Sequence, residues 1–281
     1  MDQLEWEARY GRLAAGASFA AAGLAVAGVI VYSSAIGTYN DSTELLVAIH
    51  KHPAGVMLAA VLQSLSVVML VPILLYLFSA TVHRRAETPT QVRPMILFAP
   101  LVAGLLGIAQ AAFQLRAAHN FFPELPLPPK IANDRAHHFI SQSPAPLVSY
   151  LLLAVNFLVA AAIGIVSLNA MRAGLLNRFM GILGIILAVL TAIPFFFGGP
   201  SIIQFFWLIA LAVLFLDRWP NGRGPAWESG EPIPWPSAAE VRQRAMEERR
   251  GEAEPEPEPA QTAVATAEHP RSKKRKRKRR R

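Results

Sequence analysis

The chain has 281 residues, 53% of them hydrophobic, and a formal net charge of +8. Ten of its 27 Lys and Arg residues lie in the last eleven positions, so the preceding part, with 17 basic and 19 acidic groups, is close to neutral. No cysteine is present, which excludes disulfide scaffolds, thiolate metal sites and cysteine nucleophiles.

A hydrocarbon core about 30 Å thick is crossed by about 20 apolar helical residues. Stretches 13–40, 52–83, 94–115, 136–171 and 179–216 are free of Asp, Glu, Lys and Arg. That pattern predicts an integral membrane protein of the all-α class. The first stretch, LAAGASFAAAGLAVAGVIVY, predicts a span over 13–33. The residues ahead of it, MDQLEWEARYGR, are net acidic, and the apolar run is too long for a signal-peptide core, so the span is expected to be retained. Gly16, Ala20, Gly23 and Ala27 fall on one face of it and predict either a helix-packing seam or a homodimer face.

The second span is expected over 54–78, and the third over 94–113, with Ala103, Gly107 and Ala111 as its small-residue row. The loop RAAHNFFPELPLPPKIANDRAHHFISQS, residues 116–143, follows. Phe121, Phe122, Leu125 and Leu127 with four prolines predict an extended segment at the membrane interface, with a short helix starting over 133–140. The fourth span is expected over 145–168. The last window has 38 residues, about 57 Å as one helix at about 1.5 Å per residue. Gly198, Gly199 and Pro200 interrupt it, so it is expected to form two spans, 179–197 and 201–216, with Gly181 and Gly184 as packing residues and a kink at Pro194.

Six spans place both termini on one side. With the termini cytoplasmic, the inner segments hold Arg9, Arg12, Arg84, Arg85, Arg93, Arg172 and Arg178, against Lys51, Arg116, Lys130 and Arg135 outside. That bias agrees with the positive-inside rule, and the tail adds to it. The 1–218 region is therefore expected to be a six-span transmembrane domain.

Uncharged polar residues inside the spans are Gln63, Ser64, Ser66, Gln110, Asn156 and Gln204, with Gln114 at a margin. Lipid offers them no partner. They read first as interhelical hydrogen-bonding groups, with a polar substrate path through Gln63, Gln110, Asn156 and Gln204 as the alternative. No acid, base or histidine lies deep in a span, which argues against proton relays, ion-coupled transport and voltage sensing. Histidines gather in the outer loops: His50, His52, His119, His137 and His138. His119, Asp134, His137 and His138 are the metal-ligand candidates, because imidazole with carboxylate can bind zinc. Their spacing matches no metal motif, and H-E-x-x-H, G-x-S-x-G and the P-loop pattern are absent. No cofactor is implied.

Residues 219–250 form a Pro- and Trp-rich juxtamembrane segment with Trp219, Trp227 and Trp235 expected at headgroup level. A capping box at Ser237–Glu240 predicts a short helix to about residue 250. GEAEPEPEPAQTAVATAEHP is low-complexity, and the 251–281 tail is expected to be disordered. It ends in Arg271, Lys273, Lys274, Arg275, Lys276, Arg277, Lys278, Arg279, Arg280 and Arg281. Anionic headgroups attract such a cluster by about 1 kcal/mol per basic residue near the surface. Nucleic acid or the ribosome is the second reading; a nuclear-localisation match is the third and suits a polytopic membrane protein poorly; a role in fixing topology alone is the bland alternative.

MRAGLLNRFMGILGIILAV and IIQFFWLIALAVLFLDRWPNGRGPAWESGEPIPWPS resemble uncharacterised multi-spanning membrane proteins of GC-rich actinobacteria, over residues 53–237. The excess of Arg over Lys ahead of the tail agrees with a GC-rich bacterial source. The resemblance implies a bacterial cell-membrane location and a span count, and no activity. The sequence therefore predicts a non-enzymatic structural or interaction component with a lipid-binding tail. The alternatives are an uncoupled channel or small-solute carrier, and a membrane-embedded enzyme with an outer histidine metal site.

Overall fold

The computed structural model describes residues 3–85, 87–122, 126–192, 202–220, 222–235, 242, 243 and 246. Among these, every regular element is a helix. Residues 1–235 make one unit and 236–281 another. Of the second, only Arg242, Gln243 and Met246 are described, and all three are helical. The basic cluster, the low-complexity stretch and the capping box lie outside the described residues.

Helix α1 runs Gln3–Ile36, ten residues further toward the N-terminus than the apolar stretch alone predicts. The extension is held because Glu7 and Trp6 have partners in the bundle. Gly37 closes the helix at φ +67°, a left-handed conformation natural to glycine, and its N–H donates to Ser33 O at 2.9 Å. Short α2, Ser42–Lys51, starts on Asp41, whose carboxylate accepts from Glu44 N.

The second apolar stretch forms α3, Pro53–Val68, and α4, Leu70–Arg84, interrupted at Met69. Pro72 explains the break: it has no N–H for the carbonyl one turn back, and its ring crowds that carbonyl. Helix α5 is Val92–Phe121, α6 is Pro129–Gln142 and α7 is Ala145–Arg172. Helices α8, Arg178–Ala192, and α9, Ile202–Phe215, are followed by the five-residue α10, Pro225–Ser229. Four helical stretches are long and apolar enough to cross a membrane: α1, α3 with α4, α5 and α7. Helices α8 and α9 are apolar but shorter, about 22 Å each at about 1.5 Å per residue. Pro194 and the Gly198, Gly199, Pro200 turn lie outside the described residues.

The expected outer loop is mostly helix. Helix α5 continues eight residues past the expected span of 94–113, and α6 fills 129–142. Phe121 is fully buried instead of resting at an interface. It joins Ile36, Leu46, Ile49, Val56, Ala117, Ala118 and Ala136 in a small second core that caps this end of the bundle. Burial of these apolar side chains outweighs the polar Arg116 and His119 that make the segment look like a loop.

The main core joins α1, α4, α5, α7, α8, α9 and α10. Helix α1 packs against α3, α4 and α9; α3 packs on α5, α5 on α7, and α7 on α8. The seam on α1 is not the predicted one. Gly16, Ala20 and Gly23 are exposed, and the buried face is Gly11, Ala14, Ala15, Ser18, Ala21, Ala22, Ala25 and Gly28. At Gly28 the approach is so close that a Cβ would sit 2.7 Å from Gln63 Cγ. The other two small-residue rows do face inward: Ala103 and Ala111 are buried and Gly107 lies against Ser64, as does Gly104, which the predicted row does not include, while Gly181 and Gly184 lie against Met171 and Ser167.

Candidate functional site

Two constructions stand out. The first is a polar chamber. Gly107, Gln110, Ala111 and Gln114 follow one another at helical intervals of three, one and three, so they share one face of α5. Val56, Ala60, Gln63 and Ser64, at intervals of four, three and one, likewise share one face of α3. These faces meet, with Tyr32 of α1 and Leu152 of α7 at the margins, around a partly open cavity of about 200 Å³. The space exists because Ala60, Gly107 and Ala111 are too small to fill it.

Ser66, next to this face, behaves as interhelical glue: its Oγ donates to Ala21 O at 2.8 Å. Gln63 and Gln110 do not, contrary to the first expectation. Among the described residues, Tyr32, Gln63, Ser64, Gln110 and Gln114 make no side-chain hydrogen bond to the protein. One carboxamide atom of Gln110, Oε1, is buried without a partner. Whichever way that carboxamide is turned, one of its terminal atoms faces this same orphaned position. Such a group costs about 1–3 kcal/mol unless something else satisfies it. Among the described residues, no carboxylate, ammonium, guanidinium or imidazole lines the chamber. Asn156 on α7 is half-buried and does not line it, nor does Gln204 on α9. The four intramembrane polar candidates therefore divide: Gln63 and Gln110 converge, Asn156 and Gln204 do not.

The second construction is ionic. Glu7 and Arg84 form a two-pronged pair, Nη1 to Oε1 at 2.5 Å and Nη2 to Oε2 at 2.9 Å, with side-chain exposures of 3% and 0%. Arg84 Nε donates to Ala226 O at 2.9 Å and Nη1 also to Ala80 O at 3.0 Å. Gln3 Nε2 donates to Glu7 Oε1, and Tyr76 Oη to Glu7 O. Trp227 covers the pair, its ring centroid 5.5 Å from the Arg84 guanidinium and 5.1 Å from that of Arg223. Arg223 in turn donates to the carbonyls of Leu214 and Phe215 at the end of α9. Those are carbonyls a helix end leaves open.

Trp227 is 5% exposed and donates through Nε1 to Leu175 O at 2.9 Å. It is a bundle residue, where the sequence predicts a headgroup one; Trp219 and Trp235 are half-buried. This knot escapes a span-by-span reading, since Glu7 and Arg84 both flank apolar stretches and look like surface charges. The available signal is the acidity of MDQLEWEARYGR on a side expected to favour base.

The outer candidates are scattered. His119 stacks near His50 at 6.0 Å between centroids, and His50 lies on Phe122 at 3.9 Å. His137 Nε2 is 3.3 Å from Ser42 Oγ, and His138 lies edge-on to Phe139. Asp134 is exposed, and its neighbour Asn133 caps α2 through Ser42 N. No three His, Asp or Glu side chains come together as a metal site among the described residues. No protein-family model, curated protein or solved structure matches the chain.

Proposed function

We propose that the protein is a six-span, non-enzymatic scaffold of the bacterial cytoplasmic membrane, with both termini in the cytoplasm and a basic tail that holds anionic headgroups. The observation that supports it best is the anchoring of the juxtamembrane segment. Ala226 and Trp227 are bonded to Arg84 and Leu175, so the residues leading to the tail are fastened to the helix ends that carry most of the arginines. A tail rooted there has a high effective concentration at the adjoining bilayer surface. Helices α8 and α9 serve as the fifth and sixth spans, and the outward Gly16, Ala20 and Gly23 lane offers a face to a second copy.

The test uses the full chain in nanodiscs and its 271–281 deletion, each captured on vesicles with or without phosphatidylglycerol. Capture that needs the tail and the anionic lipid, and falls with salt, upholds the reading; capture unchanged by the deletion overturns it. Because the chain has no cysteine, single-cysteine labelling is clean. Ser229→Cys and Ser272→Cys label from one side, and Ser141→Cys and Gly199→Cys from the other. Gly199→Cys labelling from the Ser229 side removes the fifth and sixth spans.

The glutamine chamber favours a second reading, an uncoupled channel or small-solute carrier. Flux of a neutral solute into proteoliposomes that falls in Gln110→Leu supports it, and flux equal to that of protein-free vesicles removes it.

A further inference from the structure

We propose that the chamber between α3 and α5 is a binding site for a small uncharged hydroxyl-bearing group. The proposal deepens the carrier reading only as far as its site, since it concerns binding and not passage.

Four observations carry it. Polar side chains from three helices converge on one cavity and find no protein partner there. In lipid, chance polar residues turn to a neighbouring helix, as Ser66 does toward Ala21. Carboxamides left without such a bond, on helix faces that include Gly107 and Ala111, are arranged around an occupant. Among the described residues the lining has no ionised group to neutralise a charge, so a charged ligand would meet the full cost of desolvation. A neutral one does not.

Chemistry and size narrow the class further. The orphaned carboxamide atom of Gln110 requires a donor or, with the group turned over, an acceptor, and the carboxamides of Gln63 and Gln114 beside it offer both donors and acceptors. One hydroxyl supplies both. A cavity of about 150 Å³ holds a benzene-sized molecule, so 200 Å³ suits a group of a few more atoms. Val56, Ala60 and Leu152 give the rest of the wall an apolar character. The same hydroxyl chemistry is found in a free polyol and in the head of a neutral lipid such as a diacylglycerol.

The experiment uses the full chain in nanodiscs with two probes, glycerol and a photoactivatable diacylglycerol. Variants are Gln110→Leu, Ala111→Phe to fill the cavity, and Asn156→Leu as a polar-to-apolar control outside it. Binding is expected to weaken about tenfold in Gln110→Leu, the equivalent of one hydrogen bond at about 1.4 kcal/mol. It is lost in Ala111→Phe and unchanged in Asn156→Leu, with photo-adducts on α3 or α5. Glycerol that displaces the lipid probe identifies a free solute, and lipid labelling indifferent to glycerol identifies the lipid head; either upholds the site. Labelling unchanged in Gln110→Leu, adducts on α8 or α9, or binding of neither probe overturns it. Should Ala111→Phe not fold, Gln110→Leu decides alone. Binding without flux leaves the site standing and removes only the carrier.

Discussion

Glu7 and Arg84, 77 residues apart, meet as a fully buried two-pronged ion pair at one end of the bundle. Taking two charges out of water costs several kcal/mol each, and this pair recovers the cost through geometry and through extra bonds from Gln3 and to Ala226 and Ala80. Removing one partner strands the other. Glu7→Gln or Arg84→Met is expected to destabilise the bundle by about 3–5 kcal/mol. The double variant Glu7→Leu with Arg84→Met recovers most of that loss. Denaturant unfolding in detergent, read as a double-mutant cycle, measures the coupling; additive losses contradict it.

Trp227→Phe keeps most of the ring and removes the bond to Leu175 O, an expected loss of about 1 kcal/mol. Trp227→Ala also opens a void against Tyr76, Phe215 and Arg84, and the expected loss rises to about 3–5 kcal/mol. Thermal unfolding of the two variants side by side gives the comparison. A residue resting among headgroups would show little difference between them.

The rotation of the α1 seam is tested by a pair of leucines. Gly28→Leu must drive a side chain into Gln63 and should disrupt the packing of α1 on α3. A Cβ at exposed Gly23 meets no atom within 4 Å, so Gly23→Leu should leave monomer stability unchanged. Equal losses in both would return the seam to its predicted face. A change confined to self-association in Gly23→Leu marks the outward lane as a contact between copies.

Residues that hold the bundle and residues that line the chamber should respond oppositely to apolar replacement. Ser66→Ala loses an interhelical bond, worth about 0.6–2 kcal/mol. Gln110→Leu removes an orphaned acceptor and is expected to be neutral or stabilising. Unfolding midpoints in one detergent decide the matter. A large loss in Gln110→Leu shows that the carboxamide is structural.

Apolar length is a property of the linear chain, so the four long helices could be read before any packing was known. Their faces could not. Around α1, alanine and glycine occur on every side, so Gly16, Ala20 and Gly23 look as good a seam as Ala14, Ser18 and Ala25. Charge near Arg116 and His119 concealed the last two turns of α5, whose burial depends on α2 and α6 arriving to cover them. Half of the chamber was legible, because Gln63 and Gln110 are polar where lipid is expected. That Gln114 and Tyr32 join them, and Asn156 does not, follows from which helix faces meet.

The bond from Arg84 Nε to Ala226 O joins positions separated by 142 residues. A ribosome delivers Arg84 long before its carbonyl partner emerges, so during synthesis this guanidinium waits half-coordinated. Its coordination sphere closes only after α9 has been made and the chain has turned back through α10. A nascent product cut short before residue 226 lacks the carbonyl that Arg84 Nε bonds and the indole that covers Tyr76 and Phe215, so a truncated copy differs from a finished one at this end of the bundle.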